Sequence, residues 1–167
     1  MNLNRGTAAL LGVLLWAILP ARAESPANFS GTWELDKSRS VLPSRASALP
    51  GDLTLVIDHQ GETLRIERRA SMMGMHRTIT STYYTDGREA SNLTPRGETV
   101  ISRSHWEGTS LVTLLRGTLT RDGKTETVET TDVRRLSEDG KLLVVDNTVR
   151  RTGQDTPERS HLVFVRK

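Results

Sequence analysis

Eight glycine-centred turn signals punctuate the chain at nearly even spacing: Gln60-Gly61, Met73-Gly74, Asp86-Gly87, Arg96-Gly97, Glu107-Gly108, Asp122-Gly123, Asp139-Gly140 and Gly153 ahead of Pro157. Glycine reaches positive φ without a Cβ penalty, and Asp-Gly suits two-residue turns whose twist matches a hairpin. Between the turns, residues rich in Thr, Val, Ile and Leu alternate in polarity, a strand pattern. Leu53, Leu55 and Ile57 share one face, as do Leu64, Ile66 and Arg68, and Leu111, Thr113 and Leu115. After residue 24 no window shows apolar residues at helical spacing for two full turns.

These segments, with the one that holds Trp33, give nine or ten strands, of which Arg88 to Thr94 is the weakest. The expected fold is all-β, an antiparallel up-and-down meander, and such spacing suggests a sandwich or a barrel. Closure into a barrel is favoured because it removes both sheet edges. The first strand would then pair with Arg159 to Lys167. The long break at Lys37 to Gly51, with Pro43 and Pro50, reads as a loop or a single helical turn across one barrel end.

Arg5, the apolar run Ala8 to Leu19 and the small-x-small triplet Ala21-Arg22-Ala23 match a cleavable export signal over residues 1–23, cut after Ala23. The run is shorter than a bilayer span and is broken by Pro20, which argues against a stable membrane anchor. A single domain over 24–167 and a periplasmic or secreted location are expected. Removing Arg5 and Arg22 brings the charge to 21 basic against 20 acidic residues. Arg and Glu alternate along most segments, whereas a nucleic-acid binder concentrates positive charge on one face, so no nucleic-acid partner is expected. There is no cysteine, hence no disulfide and no thiolate chemistry.

Phe29-Ser30-Gly31-Thr32-Trp33-Glu34-Leu35 resembles the N-terminal motif of the calycins, the superfamily of lipocalins and intracellular fatty-acid-binding proteins. With Tyr84-Thr85-Asp86-Gly87, Trp106-Glu107-Gly108, Leu136 to Lys141 and Leu162-Val163-Phe164 in that order, the mature chain is most similar to bacterial exported lipocalin-like proteins. The resemblance implies a calycin-like barrel and a small hydrophobic or amphipathic ligand. It also implies that Trp33, beside Gly31, plugs the closed end under an arginine, with Arg159 or Arg166 as the partner and Arg166 preferred. It departs from the fatty-acid binders in two ways. Their Arg-x-Tyr head-group site on the last strand meets His161-Leu162-Val163-Phe164-Val165 here, and their helical lid meets the Pro-containing segment 37–51. A haem barrel would extend the motif with further glycines, but Glu34-Leu35-Asp36 follows, so no cofactor is expected.

Candidate ligand contacts are inward residues in mid-strand. The doublets Arg68-Arg69, Arg134-Arg135 and Arg150-Arg151 each put one arginine inside if they lie within the sheet. Parity with Leu64 and Ile66 turns Arg68 inward, and parity with Leu142 and Val144 turns Arg150 inward; the alternative is that the doublets sit at strand ends in solvent. An inward arginine calls for a carboxylate, water or an anionic ligand. Of the two faces of the Val100 to Trp106 segment, the bulk of Trp106 favours its own set, with Ser102 and Ser104, as the inner one. Tyr84 completes the candidates. His59, His76, His105 and His161 lie on different segments without metal-ligand spacing, so neither a metal site nor a catalytic pair is expected. The leading function is non-covalent binding of a small hydrophobic or amphipathic molecule, with an anionic one among the options. The alternative is a packed structural or interaction barrel of the cell envelope, and a third is a barrel-type isomerase needing two converging titratable groups.

Overall fold

The computed structural model describes residues 26–42, 52–72, 75–94, 96–121 and 123–167. The expected signal segment lies outside the described residues, as does most of the Pro-containing break. Ten strands run in sequence: β1 (Gly31–Leu35), β2 (Asp52–Gln60), β3 (Thr63–Met72), β4 (Met75–Tyr84), β5 (Glu89–Leu93), β6 (Thr99–Glu107), β7 (Ser110–Arg121), β8 (Lys124–Leu136), β9 (Leu142–Arg151) and β10 (Glu158–Arg166). They form one antiparallel sheet in the order β4-β3-β2-β1-β10-β9-β8-β7-β6-β5, a nearly closed barrel. The polar segment around Glu89 is a strand, and the first strand does pair with the last, Trp33 opposite Arg166 and Leu35 opposite Phe164. Each described turn falls on its expected glycine, with left-handed φ of 56° at Gly61 and 59° at Gly108.

Closure differs from expectation at one seam. β4 and β5 share no ladder. The Asn92 side chain enters the gap instead, its Oδ1 accepting from the Thr82 amide at 2.7 Å and its Nδ2 donating to the Thr82 carbonyl at 2.8 Å. An amide inserted between two backbones holds them further apart than a ladder does. The start of the long break is also tied down. After a turn at 37–39, Val41 exchanges two backbone hydrogen bonds with His161, extending the line of β1 along β10.

The ladders fix which face is inner. Trp33 and Leu55, Ile57 and Ile66, and Leu143 and Phe164 are paired and buried. The core is concentrated at the end where the chain enters, around Phe29, Trp33, Leu64, Leu111, Leu143 and Phe164. That end also carries the β2–β3, β4–β5, β6–β7 and β8–β9 turns.

Candidate functional site

The closed end is built from the opening motif. Trp33 is fully buried, and its indole Nε1 donates to the Phe29 carbonyl at 2.9 Å. The Arg166 guanidinium lies 4.3 Å from the Trp33 ring centre and donates to the carbonyls of Ser30 at 2.9 Å and Gly140 at 3.1 Å. Gly31 lets it sit there: at φ 139°, a Cβ would come within 2.7 Å of Arg166 Nη1. Arg166, rather than Arg159, is therefore the arginine over the tryptophan.

Above this plug lies a polar layer. The inward residues of β6, β7 and β8 at mid-height are Ser104, Thr113 and Asp132, aligned across the strands by register. Arg134 is two residues along from Asp132 on the same face, and its Nη2 donates to Asp132 Oδ2 at 2.6 Å while Nη1 donates to Thr113 Oγ1 at 2.9 Å. The pair is dry, with side-chain exposures of 4% for Arg134 and 10% for Asp132. Asn147 donates to the other Asp132 oxygen, Ser104 shares a hydrogen bond of 3.0 Å with Thr113, and the Tyr83 ring lies 5.2 Å from the guanidinium carbon. Ser102, also buried, donates to the Ala90 carbonyl at 3.4 Å. Two expected candidates, Ser102 and Ser104, thus face inward but already have partners within the barrel.

Beyond that layer the inner wall opens. Ile79, Val100, Leu119, Val128 and Val149 point inward by register yet remain half-buried. Arg68 lies on this wall between Leu55 and Ile79, inward and half-buried. It has no hydrogen-bond or ion-pair partner among the described residues. Arg77, opposite Ala70, is a second inward cation nearer the rim. Across the lumen, Arg151 Nη1 meets Glu126 Oε1 at 3.4 Å, while its Nε is buried with no partner.

Two expected positions need correction. The inner residues of β9 are Leu143, Val145, Asn147, Val149 and Arg151, so Arg150 faces outward opposite Glu129. Leu142 and Val144 are apolar but belong to the outer face, which is why parity with them misled. Tyr84 is also outward: Tyr83, opposite Leu64, takes the inner place, and the Arg88 guanidinium stacks on Tyr84 at 4.0 Å. Arg150 lines an outer trough of about 670 Å³ with Glu89, Ile101, Arg103, Leu114 and Arg116. Trp106 faces inward as expected, at the closed end against Phe29 with ring centres 5.8 Å apart.

No family model and no curated protein matches the chain. Among solved structures it is similar to the zebrafish ileal bile acid-binding protein complexed with cholic acid, with a TM-score of 0.56 and 14% identity over 83% of this chain and 98% of that one. The fold is calycin-like, a nearly closed antiparallel barrel of ten strands. Above the plug arginine Arg166, the inward residues of the last strand are Glu158, Ser160, Leu162 and Phe164, so it offers no head-group arginine to the lumen.

The four histidines of the barrel stay apart. His59 is buried at the closed end, where its Nδ1 accepts from the Phe29 amide at 3.3 Å, and burial pulls its pKa below the ordinary histidine value. His161, on the outer face, hydrogen-bonds Asp146 at 2.6 Å. Burial pushes the Asp146 carboxyl up, but His161 and Arg135 outweigh it and hold the group below the usual carboxylate range. His105 meets Glu107 at 3.0 Å on the surface, and His76 is exposed. Among the described residues, no group of three or more His, Cys, Asp or Glu side chains could hold a metal ion.

Proposed function

We propose that this chain is an exported barrel that binds a small anionic amphiphile non-covalently, the apolar body lying along the upper lumen and the acid group meeting Arg68. The observation that carries this reading is Arg68, inward by register, half-buried and without a partner among the described residues, beside Leu55 and Ile79. A charge taken partly out of water without a partner is costly, and an acid supplied by a ligand offsets that cost. The neighbouring wall is apolar and half-buried, the lining expected of a pocket that orients its ligand by a few polar groups. Cholic acid, the molecule in the zebrafish structure, is an acid of the same general class. Export rests on Arg5, the apolar run and Ala21-Arg22-Ala23; the mature protein recovered from its host should begin at Glu24.

The test is a titration with the anionic dye 1-anilinonaphthalene-8-sulfonate, followed by displacement with a long-chain acid and the matching alcohol. One partly exposed, hydrogen-bonded ion pair supports about a tenfold preference for the acid. Arg68→Met should erase that preference and leave the alcohol unchanged. Equal affinity for acid and alcohol in the natural chain, or binding of neither, would remove the proposal, and the second of these would leave the packed barrel that the lower half already resembles.

A further inference from the structure

The closed end of the barrel contains a cavity that the lumen does not use. It measures about 410 Å³ and lies between the entering segment at Ala27 and Asn28, the β2–β3 turn at Glu62, the β4–β5 turn at Thr85 and Asp86, and the indole of Trp106. That volume is within the range of small-molecule sites. We propose that it binds a small flat organic cation, an amidinium or ammonium carried on an aromatic ring, at the end of the molecule opposite the acid-binding lumen.

Three independent features point to that chemistry. The first is the wall. Phe29, His59 and Trp106 have ring centres 5.8 to 6.2 Å apart and planes within 21° of one another, and the His59 and Trp106 rings of this stack line the cavity. An indole face attracts a cation through its quadrupole. The second is the charge at the mouth. Among the described residues the ion-pair partner of Glu62 and Asp86 is Arg88 alone, 2.9 Å from Asp86 and 4.0 Å from Glu62, so two carboxyls at the rim meet one cation. Burial pushes the Asp86 carboxyl up, but the Arg88 amide, the neighbouring Glu62 side chain and the Arg88 guanidinium together hold it below the ordinary range.

The third feature is Thr85. It follows the inward Tyr83 by two residues, is only 6% exposed and lines the cavity. Its amide donates to the Glu62 carbonyl at 2.8 Å, and its hydroxyl has no hydrogen-bond partner among the described residues. A hydroxyl that lines a cleft without a protein partner is free to bond a molecule held there. His59 adds no competing charge: its Nδ1 accepts from Phe29 and its burial keeps it neutral. The site shares no residue with the Arg68 wall and stands whether or not the lumen binds an acid.

Amide and indole NMR of the mature chain tests the site with three probes of one shape: benzamidinium, benzyl alcohol and benzoate. Benzamidinium should give saturable shifts at the Trp106 indole N–H and the Gly61 and Thr85 amides, and the other two should bind about tenfold more weakly. The double variant Glu62→Gln/Asp86→Asn should weaken benzamidinium roughly threefold to tenfold, the scale of two partly exposed ion pairs, with benzyl alcohol unchanged. Thr85→Val, which keeps the volume, should weaken benzamidinium without altering the rest of the spectrum. Equal response to all three probes, shifts confined to lumen residues such as Ile79 and Val149, or no saturable shift by about 10 mM would overturn it.

Discussion

Removing the guanidinium of Arg134 should be among the most damaging single changes in the barrel. Arg134 and Asp132 are almost entirely shielded, and Arg134 supplies both the charge opposite Asp132 Oδ2 and a donor to Thr113. In Arg134→Met the side chain keeps much of its bulk, but the Asp132 carboxylate is left with the Asn147 amide alone. Breaking one side of a buried pair costs about 3–5 kcal/mol. At roughly 3–4 °C per kcal/mol for a domain of this size, Tm should fall by about 10–20 °C. Thermal unfolding followed by far-ultraviolet circular dichroism reads this directly. The double variant Arg134→Met/Asp132→Leu should recover most of the loss, because an apolar pair has no charge to strand. A single variant melting within about 3 °C of the natural chain, or a double variant as unstable as the single, would refute a dry, mutually dependent pair.

Gly31→Ala should cost about 1–3 kcal/mol in a chemical-denaturation series, since the new Cβ would meet Arg166 Nη1 at 2.7 Å; adding Arg166→Ala should relieve the contact but leave the backbone strain at φ 139°. Asn92→Ala should speed hydrogen exchange at the Thr82 amide by more than at any ladder amide of β3, because that amide loses its only acceptor across the seam. His59 takes up its proton at lower pH folded than unfolded, so folded stability should fall as pH drops through about 6.5, its ordinary value, and keep falling until the folded form is also protonated. Melting curves of His59→Gln against the natural chain between pH 7.5 and 5 should show a shallower fall for the variant; parallel slopes would contradict the shift.

The fold was legible because its signals are local. Glycines at the turns and the alternation of Leu64, Arg65, Ile66 and Glu67 are set by backbone geometry, and both survive into the barrel. The inner face of β9 was not legible, since Leu142 to Val145 are apolar in both parities and the alternation that would choose between Arg150 and Arg151 is missing. The Tyr83-Tyr84 doublet is ambiguous for the same reason. The buried Arg134–Asp132 pair was passed over because β8 is rich in Thr and Glu and shows little apolar pattern. A signal did exist: Leu136, Arg134 and Asp132 share one parity, and opposite charges two apart on a strand face are within reach of each other. The cavity below Trp106 needed coordinates, because its walls come from four separate stretches of chain.

The seam laced by Asn92 has a topological consequence. The two strands that lack a common ladder, β4 and β5, are neighbours in sequence, while β1 and β10, from opposite ends of the chain, are fully zipped at the middle of the sheet. Among the described residues the covalent chain therefore crosses the break in the ladders at the Asp86-Gly87 turn, and the first described strand lies beside the last, with the Lys167 amide donating to the Thr32 carbonyl at 2.9 Å. A circular permutant that linked Lys167 to Pro26 and opened at that turn would keep every ladder of the sheet. The hydrogen bonds that hold β4 to β5 among the described residues would then be those of the Asn92 side chain, and the barrel would become a curved sheet whose seam can open without breaking a ladder.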